Sequence, residues 1–223
     1  HGTAAAALGG YTTVIDMPLQ NDPCMTNAEA FDFKENKVSP NAFVDYCFWG
    51  GLTSYNFNDL KDLDEKGCVS FKSFIGPVSP DYESLNYGQA MEAMDIIKEF
   101  GGRAGFHCED YAIIKNQEKR MKEDGRNDWK AFLESRPVVA EIVATDAIIE
   151  IAKATGCKAH ICHVSHPAVA KKIKAAQDEG YDITAETCTH YLTFSNEDVI
   201  EKGPLYKCAP ILQPKEAVEE MWE

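Results

Sequence analysis

Three residues carry the chemistry that this sequence suggests. Lys72 stands inside the apolar run VSFKSFI, His107 closes AGFHC and is followed by Glu109 and Asp110, and His163 lies in KAHICHV, followed by Ser165 and His166. Asp16 and His190 occupy comparable places after other apolar runs. An ammonium among Phe71, Phe74 and Ile75 costs several kcal/mol to bury unless it is paired or neutralised. An apolar site favours the neutral amine. A neutral amine adds carbon dioxide to form a carbamate, an anionic group able to bridge metals. Two neutral histidines beside it would complete a ligand set suited to Zn²⁺ or another borderline divalent ion. The competing readings are a lysine whose stem snorkels to solvent and strand-end histidines that merely hydrogen-bond.

These residues need elements that bring them together. Apolar, β-branched runs at 11–17, 42–49, 69–75, 104–108, 158–164 and 183–188 alternate with helical patterns at 58–66, 87–100, 137–156 and 168–179. The polar stretch 116–128 reads as a helical or irregular excursion. Such alternation predicts βα units around a parallel sheet, with reactive residues at the C-terminal strand ends. A doubly wound sheet and a barrel both fit six such units. On a strand through residues 158–164, His160 and His163 face opposite sides, so His163 is the expected ligand and His160 is expected to pack behind the barrel. His166 reads as a surface loop residue.

Composition excludes several classes. The 223 residues are 44% hydrophobic and 26% charged, a globular balance. A net charge of −14 opposes nucleic-acid and anionic-membrane partners. No apolar run approaches the roughly 20 residues of a membrane span. The eight cysteines form no C-x-x-C pair and mostly lie in strand-like runs, so reduced core thiols in a soluble cytoplasmic protein are expected.

Several motifs resemble the cyclic amidohydrolases, the family of allantoinases, dihydroorotases and hydantoinases. They are GTAAAALGGYTTVIDMPLQNDP, VSFKSFI, GFHCED, ESRPVVAE with its RP-x-x-AE pattern, HICHVS, ETCTHYLTF and KCAPIL. The resemblance runs over essentially the whole chain, and Asp16-Met17-Pro18-Leu19 is closest to allantoinases. Gln20, Ile211 and Gln213 stand where the family pattern has asparagine, a second proline and arginine.

The resemblance implies a TIM (β/α)₈ barrel of the metal-dependent hydrolase type, here incomplete. Residues 1–223 would form one partial domain holding about strands two to seven. It implies a hydrolase that opens a cyclic amide, allantoin to allantoate, with dihydroorotase, hydantoinase/dihydropyrimidinase or a non-catalytic scaffold as alternatives. Lys72, His107 and His163 would be catalytic and metal-binding, with two Zn²⁺ or other divalent ions and a CO₂-derived carbamate on Lys72. Gln20, Asn21 and Cys208 would meet the cyclic ureide substrate, and the protein would be a homo-oligomer, a tetramer. The family's H-x-H pair and a later aspartate have no counterpart here; both ends read as cut, so the chain alone is expected to be inactive.

Overall fold

The computed structural model of the chain describes residues 1–19, 21–79 and 82–223. The elements run α1 (Gly2–Leu8), β1 (Thr13–Asp16), α2 (Ala28–Val38), β2 (Asp45–Gly51), α3 (Leu60–Lys66), β3 (Cys68–Phe74), α4 (Tyr87–Glu99), β4 (Arg103–His107), α5 (Tyr111–Glu123) and α6 (Trp129–Glu134). They continue with α7 (Val138–Thr155), β5 (Lys158–Ile161), α8 (Pro167–Asp178), β6 (Ile183–Ala185), α9 (Asn196–Lys202) and α10 (Lys215–Glu220). The polar excursion is two helices, α5 and α6, begun by Asp110 and Asp128, whose carboxylates accept from Ile113 and Ala131 backbone amides.

The strands form one parallel sheet in the order β1-β2-β3-β4-β5-β6. Doubly wound sheets reverse their strand order at a switch point. This order never reverses, which selects barrel winding. Two strands are shorter than their apolar runs. β5 stops at Ile161 and β6 at Ala185, in both cases before the polar residues that end the run.

The two faces of the sheet differ in chemistry. Phe71, Ala104, Phe106, Ala159, Ile161 and Ile183 join the main core with Leu63, Met94, Ile97, Ala144, Ile148 and Ile173 from the helices. The opposite face carries Trp49, Ser70, Lys72, Gly105, His107, His160 and Thr184, in register across β2 to β6. Period-two alternation is the cause: β3 to β5 turn most of their apolar residues to the helices and most of their polar ones inward. A second, smaller core of Leu133, Tyr191, Val199, Ile211 and Leu212 packs α6, α9 and the segment after β6.

Gly105 allows the inner face to fill. A Cβ built there would lie 2.1 Å from Trp49 Cζ3, so the indole crosses β4 where glycine leaves room. The Trp49 ring meets His160 edge-on at 5.5 Å. Gly105→Ala should therefore displace Trp49 and lose about 1–3 kcal/mol of unfolding free energy in urea titrations. Unchanged stability would mean that the indole can leave this face freely.

Candidate functional site

β3, β4 and the turn after β5 bring Lys72, His107 and His163 to one face. Lys72 and Phe74 share a side of β3, and Phe74 is the register partner of His107. The Phe74 and His107 rings stack at 5.0 Å. His107 Nδ1 faces His163 Nε2 at 3.1 Å.

His163 reaches this face through its backbone. It is the one non-glycine residue among those described with positive φ, at 42°. Left-handed backbone costs roughly 1–2 kcal/mol outside glycine. That turn breaks the strand alternation, so His163 and His160 share one side. This corrects the expectation that His160 packs behind the sheet. His160 instead lies inside, its Nδ1 2.8 Å from Thr184 Oγ1, and its Nε2 3.8 Å from Glu186.

The bonds of His107 fix its tautomer. Its Nε2 is 2.8 Å from Glu109 Oε2, and a carboxylate can only accept, so Nε2 carries the proton and Nδ1 the lone pair. Arg136 Nη1 donates to the same carboxylate oxygen. Burial pushes Glu109 up, but the His107 hydrogen bond and the charge of Arg136 outweigh it and hold the carboxyl below its usual range. Burial also holds His107 below the ordinary imidazole range, against the pull of Glu109, and the Lys72 and Arg136 charges add to the lowering. His163 is held well below that range, first by burial and then by the charges of Lys72 and His107. Both rings are therefore disposed to be neutral, the form that binds metals.

Lys72 is 2% exposed. Its Nζ has no hydrogen-bond partner among the described residues and lies 4.8 Å from the Phe74 ring centroid. Three further residues with ligand-type atoms lie nearby. His160, Cys162 and Glu186 place ligand-type atoms within 4.8 Å of one another. Burial pushes the Cys162 thiol up, opposed by the charge of nearby Lys72, and the same charge adds to the His160 hydrogen bond in holding Glu186 below its usual range. Their H-x-C…E spacing was the available signal, hidden by the assumption that His160 faced outward.

The donor set fits a divalent cation. A tetrahedral ion with metal–nitrogen bonds of about 2.0–2.1 Å holds two nitrogens about 3.3–3.4 Å apart, near the spacing here. His163 Nδ1 is buried without a partner, so the ring is free to carry its proton there and turn the Nε2 lone pair to an ion.

The remaining candidates are spread out. Gln20 lies outside the described residues. The Asn21 amide donates to Met17 O at 3.0 Å and Leu19 O at 3.4 Å, which ties it into its own loop. Cys208 lines a cavity of about 490 Å³ with His190, Phe194, Tyr206 and Leu212. Burial pushes its thiol up to about 11, and Glu109 is close enough to contribute. Asp16 pairs with Lys34 at 2.6 Å. His166 caps α8, its Nδ1 accepting from the Ala168 amide at 3.1 Å, a structural task and not that of a surface loop residue.

No protein-family model matches the chain. Over its whole length it is 34% identical to allantoinases of Salmonella paratyphi B and Salmonella newport. Among solved structures, L-hydantoinase (dihydropyrimidinase) from Arthrobacter aurescens superposes on 99% of the chain with a TM-score of 0.96 at 31% identity. A D-hydantoinase follows at 0.89 and 27%. The chain belongs to the cyclic amidohydrolases. It spans 50% of the allantoinases' length and 49% of the hydantoinase chain. The amidohydrolase's six strands thus correspond to part of a barrel, as the unreversed strand order requires.

A second buried carboxyl stands behind the site. Glu141 accepts from the Ser165 amide at 2.9 Å and the Ser165 hydroxyl at 2.5 Å, and Gln213 Nε2 donates to that hydroxyl at 2.9 Å. Burial pushes Glu141 from 4.5 to about 7, with the two Ser165 bonds opposing and the Glu109 charge assisting. The raised folded-state value means that the folded chain binds this proton more tightly than the unfolded one. The resulting stabilisation is full below about pH 4.5 and is lost as pH rises through 7, a change of about 3 kcal/mol. Glu141→Gln should remove that part of the pH dependence in urea titrations from pH 4.5 to 8. A stability difference from the parent that stays constant over this range would show that Glu141 does not titrate there.

Proposed function

We propose that the protein carrying this chain opens the hydantoin ring of allantoin to give allantoate, using Lys72, His107 and His163 as metal ligands. The observation that carries the reading is the approach of His107 Nδ1 to His163 Nε2 at 3.1 Å beside the unpartnered Nζ of Lys72. The similarity to allantoinases and the Asp16–Leu19 motif supply the substrate. Two Zn²⁺ or other divalent ions, when bound, ionise a water and polarise the ring carbonyl. His107 and His163 would hold one of them. A neutral Lys72 would add carbon dioxide at Nζ, losing one proton, and present two carbamate oxygens as the bridge. Glu109 keeps His107 Nδ1 unprotonated for its ion, and Phe74 shields the rings from water.

Residues 1–223 act here as one partial barrel domain, and Gln20, Asn21 and Cys208 remain the substrate-side candidates. A cytoplasmic home agrees with the free thiols of Cys47, Cys68, Cys108, Cys157, Cys162, Cys188 and Cys208. No helix among the described residues is long and apolar enough to cross a membrane. A homo-oligomer, a tetramer, agrees with the exposed Ile15, Leu205 and Trp222. The second reading is a hydantoinase or dihydropyrimidinase, favoured by the TM-score of 0.96. A dihydroorotase has less support, because Leu19 follows Met-Pro. A non-catalytic scaffold would not need to retain all three ligands.

Turnover of allantoin, dihydroorotate, hydantoin and dihydrouracil by the protein that carries this chain separates these readings. Allantoin should be hydrolysed fastest, and a clear preference for hydantoin or dihydrouracil would move the assignment to the structural neighbours' activity. Lys72→Ala should lose allantoin hydrolysis by at least 10²-fold, with partial recovery on adding short carboxylic acids. Full activity of Lys72→Ala would remove the bridging role.

A further inference from the structure

We propose that the segment Arg136–Glu141 at the start of α7 is a positioning clamp for both histidines, with Glu141 setting His163 through Ser165. The inference rests on the metal reading above and names residues that act on the ligands without touching an ion.

Three contacts leave this short segment for the two loops that end in the site. Arg136 reaches Glu109, which holds His107 Nε2 at 2.8 Å. The Ala140 carbonyl accepts from the Asp110 amide at 2.9 Å, fixing the backbone just after His107 and Glu109. Glu141 takes both the amide and the hydroxyl of Ser165, two residues beyond His163. Glu141 is 4% exposed and Ser165 1%, so neither has water as an alternative partner.

The two histidines are held differently. His107 is gripped by its ring. The His163 ring meets the His107 ring, Nε2 to Nδ1 at 3.1 Å, and the rest of its hold comes through the backbone: Cys162 N donates to Phe106 O at 3.0 Å and Val164 N to Glu186 O at 2.7 Å, with Ser165 locked by Glu141. Its Nδ1 has no partner among the described residues. The strained φ of 42° persists only because the flanking residues are over-determined. Releasing Ser165 removes one of those restraints, and the ring, oriented otherwise by its contact with His107, follows the backbone. Gln213 closes the clamp from the far side by donating to the Ser165 hydroxyl.

The test is a double-mutant cycle on Co²⁺ affinity, read by visible absorption of the chain, with apo melting temperature recorded for every variant. Glu141→Ala should weaken Co²⁺ binding about 10–100-fold. In the His163→Ala background the same change should have almost no further effect, because the ligand it positions is gone. An equal loss in both backgrounds would mean a merely structural carboxyl and would overturn the proposal. If Glu141→Ala does not fold, Glu141→Gln, which keeps the shape and one acceptor oxygen, should give a smaller loss with the same dependence on His163. Ring ¹⁵N spectra of the apo chain provide the separate readout. Glu141→Gln should shift the His163 ring signals and leave those of His107, anchored by Glu109, in place. Unmoved His163 signals would overturn the clamp. A parent chain that takes up no Co²⁺ would instead overturn the metal reading, and the ring spectra would then decide the clamp alone.

Discussion

The backbone turn at His163 is the constraint on which the site depends. A β-strand sends alternate side chains to opposite faces, so a strand running through His160 and His163 would put one of them among the helices. Ending β5 at Ile161 and turning the chain at φ 42° keeps both inside. The turn costs roughly 1–2 kcal/mol, and it is offset by hydrogen bonds at residues 162, 164 and 165, all in places that exclude water. Without it the inner face would keep Lys72, His107 and His160 but lose His163, and His107 Nδ1 would have no second nitrogen 3.1 Å away.

Charge is the second constraint. Lys72 and Arg136 bring two cations into a region that is almost closed to solvent, against the buried Glu109, with the half-exposed Glu186 at its edge. Arg136 pairs with Glu109 through Nη1, while Lys72 Nζ has no carboxylate partner among the described residues. A buried ammonium in that state is unfavourable by several kcal/mol. The proposed carbamate would reverse that sign, and a divalent ion beside it would offset the cost of burying the charge. His160, Cys162 and Glu186 resemble a ligand set, and two of them, Cys162 and Glu186, feel the charge of Lys72.

Much of this was legible in the sequence because it follows local patterns. The six strands, the polar inner face and the strand-end positions of Lys72 and His107 all follow from alternation and from glycine or polar stops. The strand order did not, since six βα units fit two windings and only the pairing without reversal decides between them. His160 was misplaced because the apolar run 158–164 reads as one strand, and nothing local announces a left-handed turn at a histidine. The supports of the site were visible only as the motif RPVVAE. Their work is a contact between residues far apart in the chain, Arg136 with Glu109 and Glu141 with Ser165, which no local pattern encodes.

The location of those supports links folding to chemistry. α7 is the longest helix among those described, 18 residues closed by Gly156 in the left-handed conformation. From Ala144 onward its inner face, with Ile148, Ile149 and Ala152, is part of the main core, while its first turn carries Glu141 and follows Arg136. A helix is stiff over this length, so the packing of Ala144 and Ile148 determines where Arg136 and Glu141 stand, and through them where two imidazoles face each other. A cavity or an added methyl in that core is therefore felt as a displacement of the histidines as well as a loss of stability. The core of this half of the barrel cannot vary independently of its site.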